Sequence, residues 1–168
     1  MKRLTKLVLM IGVGYLVGRH LQDVCPVSFQ GDDSDYYPRR ATKGAAGYDI
    51  YTPCDGVIKP GETKLIDLGW SVAVPKGWYV SLQTRSSLSV KKGIILANGT
   101  EGVVDCDYRD TVKLALRNTG TEDFHFKAGD RLAQLLFKRY GVGLPLPRSW
   151  FDLRSNDRLG GFGSTGIG

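Results

Sequence analysis

The chain has 168 residues, 42% of them apolar and 24% charged, which fits one globular domain with a sizeable core and excludes global disorder. Three cysteines with no C-x-x-C pair and only two histidines exclude a disulfide scaffold and a structural zinc site, and leave a His-centred triad little material. The net charge is +6, half of it carried by residues 1–23; the rest suits an anionic small ligand, and without a basic stripe or docking motif no nucleic-acid partner is expected.

The first element follows the basic stretch Met1–Lys6: an apolar run, Leu7–Gly18, closed by Arg19 and His20. It is shorter than the roughly 20 apolar residues of a spanning helix. It has the length of a signal-peptide core, yet no small-x-small cleavage site follows. Residues 1–23 therefore read as an appended helix-like or strand-like extension, with membrane-surface contact as the second reading and export as the third.

From Cys25 the pattern becomes one of short strands. Gly31–Asp35 is a polar turn, and a basic, glycine-containing stretch leads to Tyr48-Asp49-Ile50. Pro60-Gly61 marks a tight turn, Thr63–Val74 is strand-like, and Pro75-Lys76-Gly77 turns it into Trp78–Gln83. Val112, Leu114 and Leu116 alternate with polar or small residues, the period of a half-buried strand, and Phe124 and Phe126 alternate likewise. After the turn Ala128-Gly129-Asp130, the brevity of Arg131–Lys138 and its flanking glycine favour strand over helix. Beyond Gly143 the chain becomes an irregular arm rich in Pro, Asn and Gly. The expectation is an all-β distorted β-barrel or jelly-roll domain over residues 24–150, with a flexible arm over 151–168.

Arg85-Ser86-Ser87 combines a permanent cation, two hydroxyls and backbone donors, the chemistry that neutralises and orients a polyphosphate. Alone it reads more readily as a solvated strand end. Asp105 and Asp107 on a strand would share one face and Cys106 the other, which fits either a solvated face or a metal site. The terminal GGFGSTG (Gly160–Gly166) can approach phosphates closely through its glycines, or is simply a flexible end.

Five segments decide among these readings. In order they are ATKGAAGYDI (Ala41–Ile50), TRSSLSVKKGI (Thr84–Ile94), NGTEGVVDCDYRD (Asn98–Asp110), AGDRLAQLLF (Ala128–Phe137) and GGFGSTG. Together they resemble the trimeric dUTP diphosphatase (dUTPase) family from about Pro38 to Gly166. The resemblance implies the family's β-clip fold and hydrolysis of dUTP to dUMP and pyrophosphate, which keeps uracil out of DNA and supplies dUMP for thymidylate synthesis. It makes Arg85, Ser86 and Ser87 the phosphate-binding segment, with Ser86 beside the bridging oxygen of the leaving pyrophosphate. Asp105 is then the general base, and Tyr108 packs on the deoxyribose, leaving no room for a 2′-hydroxyl. Asn98 starts a uracil-binding hairpin, Val103, Val104 and Lys113 line the nucleoside pocket, and Gln134 lies on the phosphate side. Asp49 holds waters around Mg2+. In the C-terminal arm Phe162 stacks on uracil with Gly163 and Ser164 near the phosphates, and Arg158 or Arg154 clamps the γ-phosphate.

The implied assembly is a homotrimer whose subunits share each site, with the cytoplasm, or a host's cytoplasm for a viral chain, as its location. Two features depart from the family pattern. The chain is one residue longer between Asn98 and Asp105, and Asp110 replaces a glycine after Tyr108-Arg109. A deaminase of the same fold would need a glutamate where Ala115 stands. A regulatory protein on this scaffold, acting through a protein partner, is the alternative of a different class.

Overall fold

The computed structural model describes residues 24–145. Residues 1–23 and the arm that carries Arg154, Arg158, Phe162, Gly163 and Ser164 lie outside them. Eleven strands are described: β1 (Ser28–Gly31), β2 (Tyr48–Tyr51), β3 (Gly56–Ile58), β4 (Thr63–Asp67), β5 (Trp70–Ala73), β6 (Trp78–Thr84), β7 (Ile94–Leu96), β8 (Gly102–Val104), β9 (Lys113–Asn118), β10 (Phe124–Phe126) and β11 (Arg131–Arg139). One α-helix, α1 (Ser86–Lys92), follows β6.

The strands form four antiparallel sheets in the manner of a jelly roll, and no one of them closes on itself. A four-stranded sheet runs β2-β11-β6-β8 and a three-stranded one β4-β9-β7, with β1-β5 and β3-β10 as separate pairs. Between them lies one core that includes Ile50, Ile58, Trp70, Val80, Leu114 and Leu135.

Strand β9 shows how the sequence dictates the packing. Leu114 and Leu116 point inward and are fully buried, whereas Arg117 is exposed, so the alternation expected from the sequence holds. The inward series ends on a polar residue, Asn118, which is also fully buried. Its amide donates to the carbonyls of Ile58 and Glu122, both at 2.8 Å, and its oxygen accepts the Gly120 N–H at 2.9 Å. A buried amide so paired avoids the cost of an unmet polar group and ties two neighbouring connections to β9.

Four local expectations are corrected. Thr63–Val74 is two strands rather than one, because the Asp67 carboxylate accepts the Gly69 N–H at 2.9 Å and Gly69 takes φ +72°. The residues after Arg85 form a helix rather than a strand end. That helix stops at Gly93, in the left-handed region at φ +67°, whose N–H caps Leu88 and Ser89. Asp105–Tyr108 is a turn, not a strand, since β8 ends at Val104 and the Tyr108 N–H returns to the Asp105 carbonyl at 3.1 Å. The Asn98 segment is not a paired hairpin: β7 pairs with β9 and β8 with β6, so the loop crosses between sheets.

Candidate active site

Three of the five segments meet at one cavity of about 470 Å3. The loop Ala45–Gly47 forms one wall, the start of α1 with Arg85, Ser86 and Ser87 a second, and β11 with Arg131 and Gln134 a third. Ser86 and Ser87 are exposed at the first turn of α1, where backbone N–H groups have no partner within a helix. Gly47 lies close under Gln134: a Cβ there would stand 2.7 Å from Gln134 Oε1, so the amide end would have to shift. A larger cavity of about 530 Å3 lies between Lys91-Lys92 and the Glu122–His125 segment. It holds none of the candidate site residues and mixes two lysines with two acids, so the smaller, cation-lined cavity is the better polyphosphate site.

Asp49 organises this cavity. Its side chain is 13% exposed; one carboxylate oxygen meets Arg85 Nε at 3.5 Å and the other accepts a hydrogen bond from Arg131 Nη1 at 3.0 Å. Arg85 Nη1 also donates to the Arg131 carbonyl at 3.2 Å, which ties the start of α1 to β11. Two guanidiniums on one carboxylate leave an excess positive charge facing the cavity.

Arg131 lines the candidate cavity but was not among the residues the sequence singled out. On a regular strand, Arg131 and Gln134, three apart, would point to opposite faces. A bulge between Arg131 and Ala133 changes this: Arg131 pairs with Tyr51 and Gln134 with Asp49, so both share the face of Asp49. Period-two reading has no signal for such a bulge.

The nucleoside candidates stand in a second group. Asp105 is exposed at its turn, and Arg109 braces that turn by donating to the carbonyls of Cys106 and Tyr108 at 2.9 and 2.7 Å. The Tyr108 hydroxyl donates to the Thr111 carbonyl at 2.9 Å, which fixes the half-buried ring. Lys113 is engaged at 2.8 Å by Asp110, the residue in place of the usual glycine; this contact raises the lysine's pKa and, with the Thr111 N–H, lowers that of Asp110. Asn98 and Val103 are exposed, but the Val104 side chain is in the core, so only its backbone can face a ligand. None of this second group lines the cavity of Asp49. The two groups are nonetheless tied: Thr84 Oγ1 accepts the Leu96 N–H at 3.0 Å, fixing the strand before Asn98 to the one before Arg85.

The sequence model of a family described as dUTPase matches residues 34–166. A deoxyuridine 5'-triphosphate nucleotidohydrolase of Yarrowia lipolytica is 44% identical over 131 residues, which cover 77% of this chain and 82% of that relative. Among solved structures, the Staphylococcus bacteriophage 80alpha dUTPase with dUPNHPP has a TM-score of 0.75 at 21% identity, covering 84% of this chain and 99% of that one. A dUTPase mutant from phage phi11 of S. aureus, described with a coordinated structural Mg(II) ion, has a TM-score of 0.66 at 20% identity, over 73% of this chain and 95% of that one.

Proposed function

The chain belongs to the dUTPase family and is a dUTP diphosphatase that hydrolyses dUTP to dUMP and pyrophosphate, and we propose that the cavity around Asp49 holds the phosphates while Asn98–Tyr108 holds the deoxyuridine. The observation that carries this division is the convergence of Arg85, Ser86, Ser87, Arg131 and Gln134 on one cavity. Guanidiniums, hydroxyls and free helix N–H groups are the donors that a triphosphate accepts.

In this reading a water attacks the α-phosphorus and Asp105 takes its proton. The bond from that phosphorus to the bridging oxygen breaks, and pyrophosphate leaves with Ser86 donating to that oxygen. An exposed carboxylate on a braced turn is free to reach a water, and a positioned base contributes about 10²–10⁴ to the rate. Tyr108 excludes a 2′-hydroxyl with a ring whose position is set through Thr111. Asn98 and Val103 face the nucleoside together with the backbone of Val104, and Lys113 acts from its pair with Asp110.

Asp49 fits a water-mediated magnesium site. A carboxylate has about four lone-pair sites, of which two guanidiniums take two. No group of three or more His, Cys, Asp or Glu fit to hold a metal exists among the described residues. Magnesium suits such a sparse donor set, because it keeps its waters and binds through substrate phosphates. When bound, it neutralises phosphate charge; Asp49 and the two arginines orient what surrounds it.

The separation of the two groups in one chain supports a homotrimer with shared sites. One subunit supplies Asn98–Tyr108 with Asp105, a second Arg85–Ser87, and a third the arm with Phe162, Gly163, Ser164 and Arg158 or Arg154. The described cysteines, Cys25, Cys54 and Cys106, are all free, which suits a reducing cytoplasm. Among the described residues no helix is long and apolar enough to cross a membrane.

The test is pyrophosphate release by the purified chain from dUTP, UTP, dTTP and dCTP. A kcat/KM clearly highest for dUTP is expected. Comparable values for UTP and dUTP would contradict the roles of Tyr108 and the Asn98 segment.

A further inference from the structure

Glu101 lies in the loop between Asn98 and β8. The loop's two ends enter different sheets, so no ladder joins them. Asn98, Gly99 and Thr100 are exposed, with Gly99 at φ +98°. Glu101 is different: its carboxylate meets Lys138 Nζ at 3.0 Å, and only 28% of its side chain and 34% of that of Lys138 are exposed. The Ser81 hydroxyl and the Lys138 ammonium, with a smaller contribution from Tyr79, hold its carboxyl below the usual glutamate range.

These partners share one face of the β11–β6 pair. Lys138 is directly opposite Tyr79, and Ser81 is two residues further along β6. Val103 on β8 is opposite Ser81 and stands on that face too, while Gln134 reaches it opposite Gln83. The face therefore runs from the phosphate cavity to Val103. Ser81 is fully buried on it among larger side chains, and Gln83 Nε2 donates to its hydroxyl at 3.4 Å. The loop also closes on itself, since a Cβ on Gly102 would stand 3.1 Å from Asn98 Nδ2.

Resting on the reading of Asn98–Tyr108 as the deoxyuridine segment, we propose that Glu101 is a positioning residue that anchors the Asn98 loop to β6 and β11 and so fixes where the base is held. A loop with no strand pairing that must be ordered at each binding event loses affinity, and one held in advance does not. Glu101 touches no reacting atom in this scheme, so its effect falls on base binding and not on phosphate chemistry.

Steady-state kinetics on dUTP, with inorganic tripolyphosphate as inhibitor, test this on the full chain. Glu101→Ala is expected to raise KM about tenfold, the factor for losing a charge-assisted hydrogen bond, with kcat within about twofold. The inhibition constant of tripolyphosphate should not move, because that probe has no base. Glu101→Gln, which keeps a hydrogen-bond acceptor for Lys138 and Ser81, should recover most of the loss. Lys138→Met removes the same pair from the strand side and should raise KM likewise, which keeps the test open if Glu101→Ala does not fold. An unchanged KM in a folded variant, or a tripolyphosphate constant that weakens equally, overturns the proposal. Absence of pyrophosphate release by the wild-type chain would instead overturn the functional reading beneath it.

Discussion

Asp49 and Asp105 stand in contrasting environments, which suits the different roles proposed for them. Asp49 is mostly buried with a guanidinium on each oxygen, so it holds Arg85 and Arg131 in place. Asp105 is exposed just past the end of β8, and no side chain of the described residues bonds its carboxylate, which suits the proposed base. Asp105→Asn should accordingly lower kcat by about 10²–10⁴ while leaving binding of a non-hydrolysable dUTP analogue nearly unchanged. Titration calorimetry beside turnover measurements checks this; normal turnover would show that another group is the base. Both acids stand out in the sequence because their neighbours carry recognisable motifs, which is what makes them candidates for these roles. Arg131 was not legible there, since only the bulge in β11 turns it to the face of Asp49. Nor was the anchoring of Glu101, whose partners lie on strands distant in sequence.

At the scale of elements, reading succeeded where one face is buried and failed where chain direction changes. The alternation in β9 survives folding because Leu114 and Leu116 have no other way to leave water. Thr63–Val74 reads as one strand because its apolar residues continue across Leu68; the break comes from Gly69 and the Asp67 side chain. Helix α1 has one half-buried apolar residue, Leu88, packed against the core and shows too little periodicity to be foreseen. Its end is a separate matter. Gly93 combines φ +67° with a backbone approach in which a Cβ would stand 2.8 Å from the Gly120 N. Gly93→Ala should therefore destabilise the fold by at least about 1–2 kcal/mol, the cost of a left-handed alanine before any clash. Urea unfolding should show a lower midpoint at unchanged slope, and an unchanged midpoint would mean that the helix end relaxes freely.

For the whole molecule, the two groups of candidate residues stand apart within one chain. The cavity proposed for the phosphates is built from β2, β11 and the start of α1, the segment proposed for deoxyuridine from the loop before β8 and the turn after it, and no residue of the second lines the first. Homo-oligomers of closed symmetry resolve such an arrangement by repeating one contact, so that each copy gives its donors to a neighbour. The measurement that tests this most directly is pyrophosphate release from dUTP by an equal mixture of Arg85→Ala and Asp105→Asn chains, unfolded and refolded together. Each variant alone should be nearly inactive. In random mixed trimers with shared sites, about one site in four combines an intact Asp105 from one copy with an intact Arg85 from another, so the mixture should recover about a quarter of wild-type activity. Recovery of none, from a mixture shown to be folded and mixed, would place Arg85 and Asp105 of each site on the same chain and contradict the account.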